Sequence, residues 1–206
     1  MDISKNKELF CNLLKQITRE NSRIDVLISK LEASDFFTAP ASSMYHNAVK
    51  GGLCEHCLNV YNELTQLVSS HNLQEVISKE SIIVTALLHD LSKMDYYEPS
   101  VINKKIYSVE GKKNDELGNF DWKSIPGYKV KDSTNRFLFG THEETAEFMA
   151  RCFIPLTIEE SIAILHHSGF AGHNTGYDLT SIYNNYTLAL LLHLADMLAT
   201  YLDERI

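Results

Sequence analysis

Apolar residues recur at intervals of three and four over much of the chain, which is the spacing of one face of an α-helix. The motifs Thr141-x-x-Glu144 and Thr157-x-x-Glu160 are capping boxes, which mark two further helix starts. Together these patterns predict an all-α fold. The three clearest stripes are Leu9, Phe10, Leu13, Leu14 and Ile17, then Ile24, Leu27, Ile28 and Leu31, and near the C-terminus Leu188, Leu191, Ala195, Leu198 and Leu202.

Two central helices are predicted between residues 51 and 90. The first begins after the turn-forming pair Gly51-Gly52 and ends near His71. The second contains the uninterrupted apolar run 82–88, which by periodicity alone suits a buried helix or a buried strand. We favour a helix because the chain shows no other alternating segment. A helix that is apolar on every side belongs at the centre of a fold.

The stretch between residues 92 and 140 differs from the rest of the chain. It is rich in Tyr, Lys, Asn and Gly, shows weak periodicity and is long for a loop in a compact domain. It holds 9 of the 19 Lys and Arg residues and 7 of the 27 acidic residues, so its charge is +2. We expect a long insertion, either a solvated loop or a lid that brings positive charge over an anionic substrate.

The composition fits one domain with a negative charge. The chain has 206 residues, of which 44% are apolar, and its net charge of -8 argues against a general affinity for long nucleic acid. The start of the chain lacks the plan of a signal peptide, and no apolar run is long enough for a bilayer. We therefore expect a cytoplasmic protein without a membrane partner. The apolar final helix suits a homodimer interface as readily as a core.

An ionisable pair, His89-Asp90, closes the apolar run 82–88. Burying such a pair costs free energy unless a metal or a charged partner compensates. Imidazoles and carboxylates suit Mn, Fe, Ni or Zn and, with fewer histidines, Mg. One ion could be held by Asp90 and three other residues, and Asp90 could bridge to a second ion. The candidates for the first ion are His56, His89, Asp90 and Asp196; those for the second are His142 and one of His166 and His167.

Each of these residues also has a structural interpretation. His142 lies in the first turn of a capped helix, where a solvated polar residue is ordinary. His166 and His167 could stabilise a helix C-terminus through the helix dipole. Asp196 flanks an apolar stripe, which is an awkward place for an unpaired carboxylate. Taken singly, none of these residues indicates a metal site. Several ionisable residues beside predicted helix cores, taken together, do.

Five motifs, taken in order, resemble the HD-domain superfamily of metal-dependent phosphohydrolases over about residues 45 to 204. Their form is most similar to that of the HD domain of YhaM-type 3'-to-5' exoribonucleases. The motifs are Gly51-Gly52-Leu53-Cys54-Glu55-His56, Leu87-Leu88-His89-Asp90-Leu91-Ser92-Lys93, Gly140-Thr141-His142, Leu165-His166-His167-Ser168-Gly169 and Leu192-His193-Leu194-Ala195-Asp196.

The resemblance implies a single all-α HD domain, with residues 1–45 as an N-terminal helical extension and residues 46–206 as the metal-binding core. It also implies a primary metal set, to which the binuclear members of the superfamily add further histidines. The primary set is His56, His89, Asp90 and Asp196; the additional histidines are His142 and His166 or His167. Mn, Fe or Ni is favoured, Mg or Zn also fits, and one or two ions are expected.

Three departures limit this resemblance. The first 45 residues are too short and too helical for the nucleic-acid-binding domain that precedes the HD domain in the exoribonucleases. Residues 169–173 replace the Gly-Tyr-Pro signature of the cyclic-di-nucleotide phosphodiesterases, so that substrate class is disfavoured. Ser92 stands where the usual glycine precedes the lysine, a small change that should keep the turn.

We expect a stand-alone phosphohydrolase that cleaves a phosphate ester or anhydride of a small phosphorylated substrate, most readily a nucleotide, through a metal-activated water. Asp90 and Asp196 would hold the ions, and one of them would accept the water's proton; Lys93 would contact phosphate or, alternatively, be a surface lysine. Two other interpretations are a binuclear-iron HD oxygenase and a non-catalytic nucleotide-binding HD protein. The candidate substrate-binding residues are His46, Lys93, Lys104, Lys105, Arg136, Tyr177 and Tyr183.

Overall fold

Eight α-helices surround the core of the computed structural model, which describes residues 2–137, 139–171 and 179–204. A three-stranded antiparallel sheet is inserted between the fourth and fifth helices. The helices are α1 Ile3–Leu14, α2 Ile24–Ala33, α3 Gly52–Ser70, α4 Lys79–Leu88, α5 His142–Arg151, α6 Ile158–Leu165, α7 Leu179–Asn185 and α8 Thr187–Leu198. The strands are β1 Tyr97–Tyr107, β2 Lys113–Asp115 and β3 Gly118–Val130.

The helix ends follow the local signals in the sequence. Gly51 precedes α3 with a φ of 85°, a left-handed conformation that glycine adopts without steric cost. A Cβ atom at Gly52 would lie 2.0 Å from the backbone oxygen of Asn47, so the chain also needs a glycine there. Both predicted capping boxes form, at Thr141 for α5 and at Thr157 for α6. The apolar run 82–88 belongs to α4, so it is a helix and not a strand.

Helices α3 and α4 lie at the centre and contribute to both parts of the core. One part joins them to α1, α2 and α5, with Phe10, Leu27 and Phe36 fully buried. The other part joins them to α6 and α8. The first 45 residues thus share a core with the central helices.

None of the described helices is long and apolar enough to cross a membrane.

The prediction of an all-α fold with a long loop at 92–140 is wrong, because β1 pairs over its whole length with residues 120–130 of β3. Alternate positions of β3 do carry apolar residues, from Phe120 and Trp122 to Tyr128 and Val130. Ser124 interrupts that alternation, and the many Lys and Asn residues lower its contrast. Because most of this hairpin is solvated on both faces, a two-residue hydrophobic period is weak.

The hairpin formed by β1 and β3, which we call the arm, is anchored at its base by hydrogen bonds from backbone N–H groups. Asp35 and Asp95 each accept a hydrogen bond from the other's backbone N–H, at 2.7 and 3.2 Å. The N–H of Lys131 donates to the carbonyl of Tyr96 at 3.0 Å. At ~3.3 Å per residue, the eleven residues of β1 extend about 36 Å from this anchor.

The C-terminal helix departs from its predicted stripe after Leu198. Residues Ala199–Asp203 form a π turn, in which the N–H of Glu204 donates to the carbonyl of Ala199 at 3.1 Å. The wider turn changes which side chains face inward. Leu202, expected in the core, is 58% exposed, whereas Glu204 is buried.

A buried ion pair links the start of the fold to α6, and its loss should destabilise the protein. Arg19 donates two hydrogen bonds to the fully buried Glu160, at 2.7 and 2.9 Å. We expect Arg19→Met to lower the free energy of unfolding by about 3 kcal/mol, because it leaves that carboxylate buried without its cation. Urea denaturation measures the change. The matched control is Lys7→Met, which removes the half-exposed ion pair with Glu32 and should lower the free energy of unfolding far less. Equal losses in the two variants would contradict this assignment.

Candidate metal centre

Helix ends bring the predicted ligands to one buried point. His89 caps the C-terminus of α4, and Asp90 follows it. His142 is the first residue of α5, and His167 follows the end of α6. The remaining two residues lie within helices, where His56 projects from the first part of α3 and Asp196 from α8. The buried members of this group are His56, His89, Asp90 and His167.

One half of the cluster surrounds Oδ2 of Asp90. The Nε2 atoms of His56 and His89 lie 3.6 and 3.5 Å from this oxygen. These two nitrogens are 3.3 Å apart, and Nε2 of His56 is 3.2 Å from Oδ1 of Asp196. Four potential ligand atoms therefore converge on a small volume between α3, α4 and α8.

The other half faces Oδ1 of Asp90. Nε2 of His167 is 3.7 Å from this oxygen and Nε2 of His142 is 4.0 Å from it. The hydroxyl of Ser168 lies 3.4 Å from Nε2 of His142 and 3.5 Å from Nε2 of His167. Among the described residues, none donates a hydrogen bond to Oδ1, although the atom is buried. Asp90 thus presents one oxygen to each of two groups of imidazoles.

Backbone carbonyls fix the orientation of two of these rings. Nδ1 of His89 is 2.9 Å from the carbonyl of Ala86, and Nδ1 of His167 is 2.8 Å from the carbonyl of Ile164. A carbonyl accepts only, so each Nδ1 carries the proton. In the neutral ring Nε2 is then left with its lone pair, and both Nε2 atoms point toward Asp90.

Lys93 compensates the buried charge of Asp90. Burial favours the protonated acid, but the Lys93 ammonium, 2.6 Å from Oδ2, and the neighbouring His89 hold the pKa of Asp90 well below its usual range. Burial, with the adjacent His89 ring, lowers the pKa of His167 to about 4. At neutral pH the cluster therefore offers an ionised carboxylate and a neutral imidazole, the forms that bind cations.

His56 has a carboxylate on each side. Its Nε2 faces Asp196, and its Nδ1 lies 3.0 Å from Oε1 of Glu204. Burial opposes protonation, but hydrogen bonds to the two carboxylates raise the pKa of His56 to about 10.

The donor set fits a divalent metal ion. Ligand atoms bound at about 2.1 Å lie ~3.0 to 3.4 Å apart around one ion, close to the 3.2–3.7 Å separations in this cluster. Three donor groups in the described residues have ligand atoms within 4.8 Å of one another. These buried side chains could hold a metal ion, and their atom types do not single out one metal. The groups are His46, His56 and Glu204; His56, His89 and Asp196; and His89, Asp90 and His167.

The structure distinguishes the paired histidines. His167 is 2% exposed and contributes to a donor group, whereas His166 belongs to none of the groups in the described part of the chain. His166 caps the C-terminus of α6, half-buried near Glu143. His193, a sequence neighbour of Asp196, bonds through Nδ1 to the backbone carbonyl of His167 at 2.7 Å and so supports that segment.

The centre opens into a cavity of about 770 Å³, within the range of small-molecule sites. Of the predicted substrate-binding residues, His46, Lys93 and Lys104 line it. Lys105 follows Lys104 on β1 and so points to the opposite face of the strand, where it pairs with Asp115.

Arg136 and Tyr183, two other predicted substrate-binding residues, are not among the described residues that line the cavity. Arg136 donates a hydrogen bond to the hydroxyl of Tyr96 and covers its ring. Tyr183 stacks on His193, with ring centroids 5.9 Å apart. Tyr177 lies outside the described residues.

Glu204 and Ser168 contribute to the site without having been predicted. Ser168 directly follows the paired histidines, a position from which its proximity could have been inferred. Glu204 follows the π turn, and an extrapolated α-helix places it on a different side.

No protein-family model, curated protein or solved structure matches the chain. The chemistry of the cluster and the cavity is therefore the basis for assigning a function.

Replacement of Asp90 by Asn should abolish the binding of divalent metal. The amide keeps the shape of the side chain but removes the negative charge that faces both groups of imidazoles. At a concentration of 100 times Kd, Mn²⁺ should stabilise the wild type by about 2.7 kcal/mol and so raise its melting temperature. The melting temperature of Asp90→Asn should not change when Mn²⁺ is added. The exposed Asp132→Asn is the control and should respond like the wild type. Equal metal-induced shifts in Asp90→Asn and the wild type would show that the cluster is not the metal site.

Proposed function

We propose that the protein is a metal-dependent phosphohydrolase of the HD type that acts on a small phosphorylated molecule, most readily a nucleotide. The observation that carries this proposal is the position of Asp90 between two groups of imidazoles. A carboxylate with one oxygen toward each group is suited to bridging two cations. The order of the motifs along the chain, from His56 to Asp196, supports the same family.

The residues around Asp90 have separate roles in this proposal. His56, His89 and Asp196 would hold one ion together with Asp90, and His142 and His167 would hold a second. Divalent ions bound there would lower the pKa of a bound water to about 7 and neutralise charge on a phosphoryl group. Asp196 is 21% exposed at its side chain and lines the cavity, so it is the carboxylate placed to accept a proton from an attacking water.

Lys93 brings positive charge to the boundary between the centre and the cavity. Its ammonium bonds to Asp90, yet 17% of the side chain is exposed and it lines the cavity. Lys104 reaches the same cavity from the arm. Two lysines beside a cluster of metal-ligand type favour an anionic substrate, and a phosphate group is the anion whose hydrolysis such a centre catalyses.

The outer wall of the cavity is apolar and favours a substrate with an aromatic ring. Tyr45 and Phe170 line it and are 76% and 84% exposed, and Tyr201 joins them. Met44 and Met197 complete this wall. Large apolar side chains concentrated at the mouth of one cavity are typical of a binding surface. A nucleotide offers both a base to stack on this wall and a phosphate for the centre.

The direct test is phosphate release from a panel of nucleotides and phosphodiesters by the Mn²⁺-loaded protein, carried out under argon. We expect turnover that needs the metal and falls by at least ~100-fold in Asp196→Asn, which loses a ligand and a proton acceptor. The exposed Asp132→Asn is the control. Metal binding without turnover of any phosphate compound would contradict the proposal, as would a product that forms only with oxygen.

The aromatic wall should affect affinity for the base and not the chemical step. We expect Phe170→Ala to raise KM for a nucleoside monophosphate by roughly 5- to 150-fold, which corresponds to about 1–3 kcal/mol for one stacked base, with kcat little changed. KM for ribose 5-phosphate should stay the same. The control is Phe148→Ala, which removes an exposed aromatic ring on α5. Equal increases in KM for both substrates in Phe170→Ala would refute a base-stacking role.

A further inference from the structure

Glu204 is a buried carboxylate at the end of the described chain. It is 6% exposed, although its neighbour Asp203 is exposed. Burying an ionised carboxylate costs free energy unless hydrogen bonds satisfy it. Its Oε1 accepts a hydrogen bond from Nδ2 of Asn59 at 3.0 Å and lies 3.0 Å from Nδ1 of His56; its Oε2 lies 3.3 Å from the same nitrogen.

The π turn explains how Glu204 reaches His56. An α-helix turns about 100° per residue, so a residue eight positions after Asp196 would lie about 80° around the axis from it. The π turn over Ala199–Asp203 holds more residues per turn and reduces that offset. Asp196 and Glu204 consequently approach the same imidazole from two sides, one at Nε2 and the other at Nδ1.

We propose that Glu204 is the positioning residue of the metal centre: it accepts the Nδ1–H of His56 and thereby aims the Nε2 lone pair at the ion. This inference rests on the metal site in the proposed function. It adds a residue to that site which does not itself bind the ion in the cluster around Asp90. Asn59, one turn after His56 on α3, holds the carboxylate in place through its amide.

The chemistry of the ring explains why such a residue is needed. A neutral imidazole has one N–H and one lone pair, and they can exchange places. Backbone carbonyls fix this choice for His89 and His167. The Nδ1 atom of His56 is instead fixed by Glu204, and a carboxylate acceptor also makes the opposite nitrogen a stronger donor to a metal. Loss of a partner of this kind weakens metal binding by about 10- to 100-fold.

The test combines metal affinity with the protonation of the ring. In the Zn²⁺-loaded wild type with ¹⁵N-labelled histidine, we expect the His56 ring to show a slowly exchanging, downfield Nδ1–H. In Glu204→Ala, this resonance should be lost and Kd for Mn²⁺ should rise about 10- to 100-fold. Glu204→Gln, whose amide oxygen still accepts from Nδ1–H, should recover most of the affinity. Asn59→Ala should weaken binding less, and its effect should vanish when Glu204 is already Ala.

Asp203→Asn is the matched control, because it removes the same charge one residue away on the exposed side. It should change neither Kd nor the Nδ1–H resonance. An unchanged Kd and an unchanged His56 resonance in Glu204→Ala, with Asp90→Asn unable to bind metal, would overturn the role of Glu204 and leave the metal site intact. Absence of metal binding in the wild type would instead overturn the proposed site and this inference together.

Discussion

The burial of Asp90 is the constraint on which the centre of this structure depends. Its carboxylate follows a helix whose last seven residues are all buried, a place where an isolated charge would be strongly unfavourable. Lys93 satisfies one side of Oδ2, and four imidazoles surround the rest of the carboxylate. Because those imidazoles come from α3, α4, α5 and the end of α6, these helices must end or cross at the same place for the four rings to face one carboxylate.

The side of the site that faces the core and the side that faces solvent are built from different groups. Toward the core, ring orientations are set by the backbone carbonyls of Ala86 and Ile164. Toward solvent, the cavity is bounded by aromatic and methionine side chains together with Lys104 from the arm. Helices and their ends thus hold the polar cluster, whereas the loop before α3, the arm and the C-terminal π turn supply much of the surface that a substrate would meet first.

The helical part of the fold and the identity of the clustered residues could be predicted, because both leave local signals. Three-residue and four-residue spacing marks each helix, and His89-Asp90 after an apolar run indicates a buried charge that needs partners. The arm could not be predicted in the same way, since a hairpin solvated on both faces has little hydrophobic alternation. The position of Lys105 could not be predicted for the same reason. Only the strand shows that Lys104 and Lys105, as consecutive residues, point to opposite faces.

The burial of Glu204 and the exposure of Leu202 could not be predicted from the sequence for a different reason. Both positions depend on the π turn, which changes the helical register over Ala199–Asp203. An apolar stripe continued at α-helical spacing therefore places Leu202 in the core, although it is exposed. The choice between His166 and His167 likewise depended on where α6 ends, and helix ends are poorly defined by pattern alone.

The most direct test of the central claim is an anomalous-diffraction map of crystals soaked in Mn²⁺. It would locate bound ions without relying on any assumed substrate. We expect one peak within coordination distance of Asp90 Oδ2, among His56, His89 and Asp196, and a second at Oδ1, beside His142 and His167. Ordered Mn²⁺ only at sites that do not contact Asp90, or no ordered Mn²⁺ at all, would contradict the central claim.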